Sequence, residues 1–268
     1  MFLSILFLLS SVVLAADGVP IHYSVQGKGD PALVFIHCWS CDRHLWDNQF
    51  AVFAKDHRVV AIDLPGSGES GKGRKEWSIS GFGDDVKRVV DALGLKHVVL
   101  IGSSMGGPIA LEAARRMPER VVAIVPVDTL QNVEEKTPPE EIEGMVKQLR
   151  ADYKGATTKF ISQYLFVPST PAAVKDRVLS QATAAPPEIA IQILLAAMTY
   201  DPIPALQEIK MPIRAINADR SPTNLEANRK HAPQFDVVII KGVGHYPMLE
   251  DPMRFNELLA AVLRDLKK

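Results

Sequence analysis

Short runs that are apolar at almost every position recur along this chain, and helical patterns lie between them. "HRVVAID", His97 to Ile101, Val121 to Val127, "PIRAIN" (212–217) and "DVVII" (236–240) have strand length and are rich in β-branched residues. A strand with one wet face alternates apolar and polar residues, whereas a strand covered on both faces does not. The cover comes from stretches such as Ser78 to Leu93. There Phe82, Val86, Val89, Val90 and Leu93 fall at helical spacing, with Gly94 just past the end. From Val59 onward the order is strand, helix, strand, which predicts an α/β fold around a mostly parallel sheet. Two earlier strands, "IHYSVQG" and "PALVFIH", flank the turn Gly27-Lys28-Gly29-Asp30-Pro31. Asp251-Pro252 opens a last helix with Phe255, Leu258, Leu259, Val262, Leu263 and Leu266 on one face.

The rhythm breaks between residue 129 and about residue 205, where acidic, proline-punctuated helical segments run without a clear strand. "TPPEEIEGMVKQLR" and "APPEIAIQILLAAM" each place proline at a helix start, and acidic residues follow it. This region is expected to be a helical cap, or lid, inserted into a core made of residues 17–128 and 206–268. Its aromatics Tyr153, Phe160, Tyr164, Phe166 and Tyr200 are candidates equally for lid core and for pocket wall.

A chain of 268 residues, 47% hydrophobic, has enough material for one large core. A net charge of −1 offers no basic surplus for nucleic acid or an anionic membrane. The opening "MFLSILFLLSSVVLAA" carries no charge and is short for a membrane span. Val13 and Ala15 fit the −3 and −1 positions of a cleavage after Ala15. Residues 1–16 therefore read as a signal peptide and the protein as exported, periplasmic or secreted. The missing basic residue before the apolar run keeps an uncleaved anchor or a cytoplasmic protein as alternatives. The two cysteines, Cys38 and Cys41, are spaced to pair in an oxidising compartment or to sit as small buried thiols.

Candidate chemistry begins at "HVVLIGSSMGGPIALEAA", a strand, a glycine turn and a helix. Gly102-Ser103-Ser104-Met105-Gly106 fits G-x-S-x-G, with Ser104 at the exposed centre and Ser103 at a variable position. A serine hydroxyl needs a base, and the base needs an orienting carboxylate. Among seven histidines, His245 in "GVGHYPMLEDP" lies just beyond the carboxyl end of the last strand, where open α/β sheets place their sites. Asp219 in "INADRSPTN" is the preferred acid, and Asp128 in "VPVDTL" is the alternative, otherwise a helix cap or hinge. The backbone N–H groups of Met105 and of Trp39, in the loop "HCWSCD", are the expected oxyanion donors.

The stretches "VFIHCWS", "AIDLPGSGESG", "VVLIGSSMGGPIALEAARRMPERV", "MPIRAINADRSPT" and "GVGHYPMLEDP" together resemble the α/β-hydrolase fold superfamily over nearly all of the chain beyond the signal segment. The resemblance implies an eight-stranded, mostly parallel sheet, a helical cap and a Ser104–His245–Asp219 triad. One departure is His37-Cys38 where the superfamily usually has His-Gly, which alters the oxyanion loop. A serine at the elbow excludes the dehalogenases and epoxide hydrolases that use aspartate there. The expected activity is cleavage of a small or medium carboxylic ester through an acyl-enzyme. A lactonase, carbon–carbon bond hydrolase, thioesterase or perhydrolase is the alternative within serine chemistry. A hydrolase-like ligand receptor is the alternative from another class, and steady turnover without burst-and-stop kinetics would argue against it. No cofactor or metal is implied, and the expected partner is a small-molecule substrate. Expressed in its own host, the mature protein is expected to begin near Ala16 or Asp17. N-terminal sequencing checks this, and Met1 on the soluble enzyme would refute it.

Overall fold

The computed structural model describes residues 10–266. Eight strands form one sheet: β1 (Ser10–Leu14), β2 (Pro20–Gln26), β3 (Ala32–Ile36), β4 (Val59–Ile62), β5 (Val98–Ser103), β6 (Val121–Val127), β7 (Ile213–Ala218) and β8 (Phe235–Ile240). Their spatial order is β1-β2-β4-β3-β5-β6-β7-β8. The β1–β2 and β2–β4 pairs are antiparallel, and every later pair is parallel.

The central apolar strands are buried on both faces, whereas the edge strand β8 leaves Val238 and Ile239 exposed. Every residue of β3, β4 and β5 is buried. Val34, Ile36, Val98 and Leu100 face one core layer, and Leu33, Phe35, Val99 and Ile101 face the other. The first layer is closed by α2 (Ile79–Ala92) and α3 (Gly106–Arg116). The second is closed by α1 (Asp47–Phe53), which follows a 3₁₀ turn at Arg43–Trp46, and by the C-terminal helix. The Ser78 side chain caps the start of α2 by accepting from Gly81 N, and Gly94, expected just past the helix end, stands there at φ +61°.

Between β6 and β7 the chain makes α4 (Pro139–Ala151), α5 (Tyr153–Tyr164), α6 (Ala172–Ala184) and α7 (Pro187–Met198). The helix α8 (Ile203–Glu208) then returns to the sheet, with Ala205 and Leu206 buried in the first core layer. The chain closes with α9 (Leu225–His231), α10 (Pro247–Glu250) and α11 (Pro252–Asp265). The loops after β3, β5, β6, β7 and β8 leave the carboxyl ends of parallel neighbours, so they meet along one rim of the sheet.

At the opposite edge, β1 occupies part of the segment read as a signal peptide. Its register with β2 runs from Ser10–Ser24 to Leu14–Pro20. Val12 and Leu14 point to solvent, while Val13 packs against the first core layer. Residues 1–9 of that segment lie outside the described residues. Cleavage after Ala15 would remove β1 and leave β2 as the sheet edge.

The second layer is anchored by a ring column, with Trp46 5.0 Å from Phe35 and 6.3 Å from Phe255 between centroids. All three side chains are fully enclosed. Phe255→Ala is expected to cost about 3–5 kcal/mol, the range for a large aromatic deleted from a packed core. That corresponds to a melting-temperature loss of roughly 10 °C, checked by calorimetry. A loss under a degree or two would mean that α11 does not lock this layer.

Candidate active site

Two glycines shape the turn between β5 and α3. A β-carbon on Gly102 would lie 2.1 Å from the Gly106 carbonyl oxygen, and one on Gly106 would lie 2.5 Å from the Ile36 carbonyl oxygen. Side chains are therefore excluded at both positions, and α3 starts directly against the ends of β5 and β3. The compression leaves Ser104 in the left-handed region at φ +50°, its N–H bonded to the Val127 carbonyl at 2.9 Å. A non-glycine residue held there stores strain, and the surrounding packing sustains it. Ser104 is partly exposed, whereas Ser103 is buried, with no hydrogen-bond partner for its hydroxyl among the described residues.

Five residues after β8, His245 is 6% exposed, and its backbone N–H donates to the Leu165 carbonyl at 2.9 Å. Its Nδ1 lies 2.5 Å from Asp128 Oδ2. Asp128 follows β6 at φ +45° and is 1% exposed. Its Oδ1 accepts from Ala218 N at 3.0 Å and from Gln131 Nε2 at 3.3 Å, and its Oδ2 accepts from Arg220 Nε at 3.1 Å. Burial pushes this carboxyl upward. The His245 hydrogen bond, the His245 and Arg220 charges and the Ala218 N–H outweigh burial and hold it below its usual value.

The expectation that Asp219 orients His245 is corrected by this geometry. Asp219 is exposed, and its Oδ1 accepts from Gly242 N at 2.8 Å, which ties the end of β7 to the loop after β8. At this rim the Ala218 N–H is already given to Asp128. The next side chain turns outward, and Arg220 turns back in. The alternative acid, Asp128, is the one brought to the histidine.

Trp39 and Met105 stand where the sequence placed them, in the loop after β3 and at the head of α3. The β-carbon position of Gly106 is 3.0 Å from the His37 carbonyl oxygen, so these two segments lie against each other. His37 itself is buried. Its Nδ1 donates to the Cys38 carbonyl at 2.8 Å and its Nε2 accepts from Leu64 N at 3.0 Å, an arrangement that requires the neutral ring. Burial accordingly pushes this histidine down, against the opposing pull of the Cys38 carbonyl and Asp63. Cys38 and Cys41 are joined in a disulfide across the loop after β3, and Ser40 between them is held at φ +53°.

Beside Trp39 a cavity of about 460 Å³ is lined from the helices after β6 by Met145, Leu149, Phe160, Tyr164 and Leu194 together with Glu141, Gln148, Lys159 and Gln163, and its walls include neither Ser104 nor His245. The Trp39 Nε1 donates to the Ala190 carbonyl at 2.7 Å, which fastens the loop after β3 to the same helices. Of the aromatics named from the sequence, Phe160 and Tyr164 line this cavity. Phe166 packs on Tyr246 at 6.0 Å, and Tyr153 bonds the Ala182 carbonyl within the insertion. Tyr200 bonds Glu112 on α3, away from the site. A larger hollow of about 840 Å³, lined by Pro108, Val133, Met198 and Tyr200, does not reach Trp39. Sequence reasoning missed Arg220 as a member of the site, because its signal was only adjacency to Asp219.

Residues 31–252 match the alpha/beta hydrolase fold family. The chain is 27% identical to a pimeloyl-[acyl-carrier protein] methyl ester esterase of Sodalis glossinidius, covering 90% of this chain and 96% of that protein. It is 25% identical to a 3-oxoadipate enol-lactonase 2 of Acinetobacter baylyi, covering 94% and 96%. Among solved structures it is similar to a thermophilic esterase from Thermogutta terrifontis, with a TM-score of 0.85, 25% identity and 97% and 100% coverage.

The disulfide makes a prediction of its own. In the unreduced protein Cys38 and Cys41 are expected to resist alkylation, and reduction should raise the intact mass by the two hydrogens taken up. The closed loop is short, so losing the bond should cost well under the roughly 3 kcal/mol of a 15-residue loop. Two thiols that alkylate freely before reduction would refute the pairing.

Proposed function

The chain belongs to the alpha/beta hydrolase fold family, and on that premise we propose that it is a serine hydrolase that cleaves carboxylic esters with Ser104 as nucleophile, His245 as base and Asp128 as orienting acid. The observation that carries this reading is the 2.5 Å contact between His245 Nδ1 and the buried Asp128 carboxylate. A proton on Nδ1, held toward Asp128, leaves Nε2 with its lone pair free to accept the Ser104 proton. Ser104 Oγ attacks the carbonyl carbon, and the carbonyl oxygen gains negative charge. The N–H groups of Met105 and Trp39 are suited to hold that charge, each such donor being worth roughly 2.7–4 kcal/mol to the transition state. The imidazolium gives its proton to the leaving alcohol, and the acyl group stays on Ser104. Water then attacks the acyl-enzyme, with His245 acting once more as base, and releases the acid.

The helices after β6 act in this reading as a cap, and the cavity beside Trp39, with mixed polar and apolar walls, takes the acyl or alcohol part of a small or medium ester. The similarity to an enol-lactonase supports a second reading within the same chemistry, with a cyclic ester whose leaving alcohol stays attached to the acyl chain. The uncharged apolar start and the Cys38–Cys41 pair favour an oxidising, exported setting.

Ser104→Ala is expected to abolish p-nitrophenyl ester turnover and fluorophosphonate labelling, and Ser103→Ala to keep both. Asp128→Asn preserves shape but favours the wrong tautomer, and it should lower kcat by a factor approaching 10⁴, the loss seen for the same change in serine proteases. Asp219→Asn should cost less than about tenfold, the scale of one loop hydrogen bond. A large loss that follows Asp219 instead would reverse the assignment.

A further inference from the structure

Arg220 reaches the acid, the base and the helical insertion with one side chain. Its Nε donates to Asp128 Oδ2 at 3.1 Å, and its Nη1 donates to the Tyr164 carbonyl, the last residue of α5, at 2.8 Å. Its Nη2 stands 3.3 Å from His245 Nδ1. That last approach is not a hydrogen bond. Nδ1 lies 2.5 Å from a carboxylate held ionised, and two unprotonated acceptors do not approach so closely, so Nδ1 carries a proton directed at Asp128. The guanidinium is therefore a cation held at the edge of the imidazole, and at 20% side-chain exposure it is only partly screened by water.

The other groups around His245 complete the balance. Asp128 faces it from the end of β6. Glu250 of α10 does not touch the ring, but its carboxylate accepts the N–H groups on either side of His245, from Gly244 at 2.8 Å and Tyr246 at 3.0 Å, and the Thr170 hydroxyl at 2.7 Å. Tyr246 lies edge-on to the imidazole at 5.2 Å, and burial pushes its phenol up, so it stays neutral. Arg220 thus stands as the positive charge against two carboxylates. It also shares the Asp128 oxygen that would otherwise serve His245 alone.

We propose that Arg220 is a positioning residue for ester cleavage, clamping the end of α5 onto the His245–Asp128 pair and holding a fixed positive charge at the edge of the imidazole. The proposal rests on the assignment of these two residues as base and acid. The clamp and the charge are separable in their effects. Tyr164 lines the cavity beside Trp39, so releasing its carbonyl alters how substrate is held. Removing the cation changes the charge beside the reacting group, which the pH dependence of kcat/KM reads directly.

The test is a kcat/KM pH profile on a p-nitrophenyl ester for the wild type, Arg220→Met and Arg220→Lys. In Arg220→Met the acidic limb is expected to move to higher pH by roughly half a unit to one unit, with KM raised a few-fold. Arg220→Lys keeps the charge but cannot span both the carboxylate and the Tyr164 carbonyl. Its limb should stay near the wild-type position while the KM increase persists. An unmoved limb in Arg220→Met, or an equal shift in Arg220→Lys, overturns the proposal. Where Arg220→Met fails to fold, Arg220→Gln takes its place with the same expected shift, and failure of both to fold also overturns it. Fluorophosphonate labelling of Ser104 on the same preparations reports the nucleophile separately, so an absent Arg220 effect with intact labelling counts against this proposal alone.

Discussion

The close approach of α3 to the ends of β3 and β5 is the constraint on which the site depends. Gly102 and Gly106 permit it because neither has room for a β-carbon, and the turn that results forces Ser104 to positive φ. The same contact presses the head of α3 against the loop that carries Trp39. The placement of Ser104, of Met105 and of the Trp39 loop is therefore a consequence of one packing event. It is driven by the burial of β3 and β5 on both faces, and no local preference of serine for this conformation would sustain it.

A buried carboxylate imposes the second constraint. An unpaired charge at the position of Asp128 would be costly, and such a group ordinarily protonates instead. Here Ala218 N, Arg220 Nε and His245 Nδ1 surround it, and its carboxyl stays below the usual range. The partners come from the ends of β7 and β8 and the loops beyond them. The His245–Asp128 contact is assembled by the parallel sheet, which brings β6, β7 and the loop after β8 to one rim.

The helices between β6 and β7 are fastened to the site at three points. Ala190 holds the Trp39 ring, Leu165 holds the His245 backbone, and Tyr164 holds Arg220. The cavity beside Trp39 is lined by residues of these same helices, so movement of the insertion would disturb the Trp39 loop and His245 together. His37 adds rigidity beneath the loop, because its buried neutral ring links the Cys38 carbonyl to the Leu64 N–H.

Where a placement depends on neighbours in the chain, the amino-acid sequence was enough. The tight turn at Ser104 was legible because a strand, a glycine turn and a helix are contiguous, and the place of His245 because it follows a strand and precedes a helix within a few residues. The parallel sheet was legible because strands covered on both faces lose their polar alternation. The carboxylate that meets His245 was not, since Asp128 and Asp219 both follow strands on the same side of the sheet and both lie between Ser104 and His245. Which of them meets His245 depends on the direction a side chain takes beyond a strand end and on which N–H groups are left to satisfy it. Ser10–Leu14 posed the same difficulty, because a short apolar run suits a leader and an edge strand equally until a partner strand is known. Arg220 beside Asp128, and Trp39 beneath Ala190, join residues far apart in the chain. Only the folded packing of sheet and insertion decided those contacts.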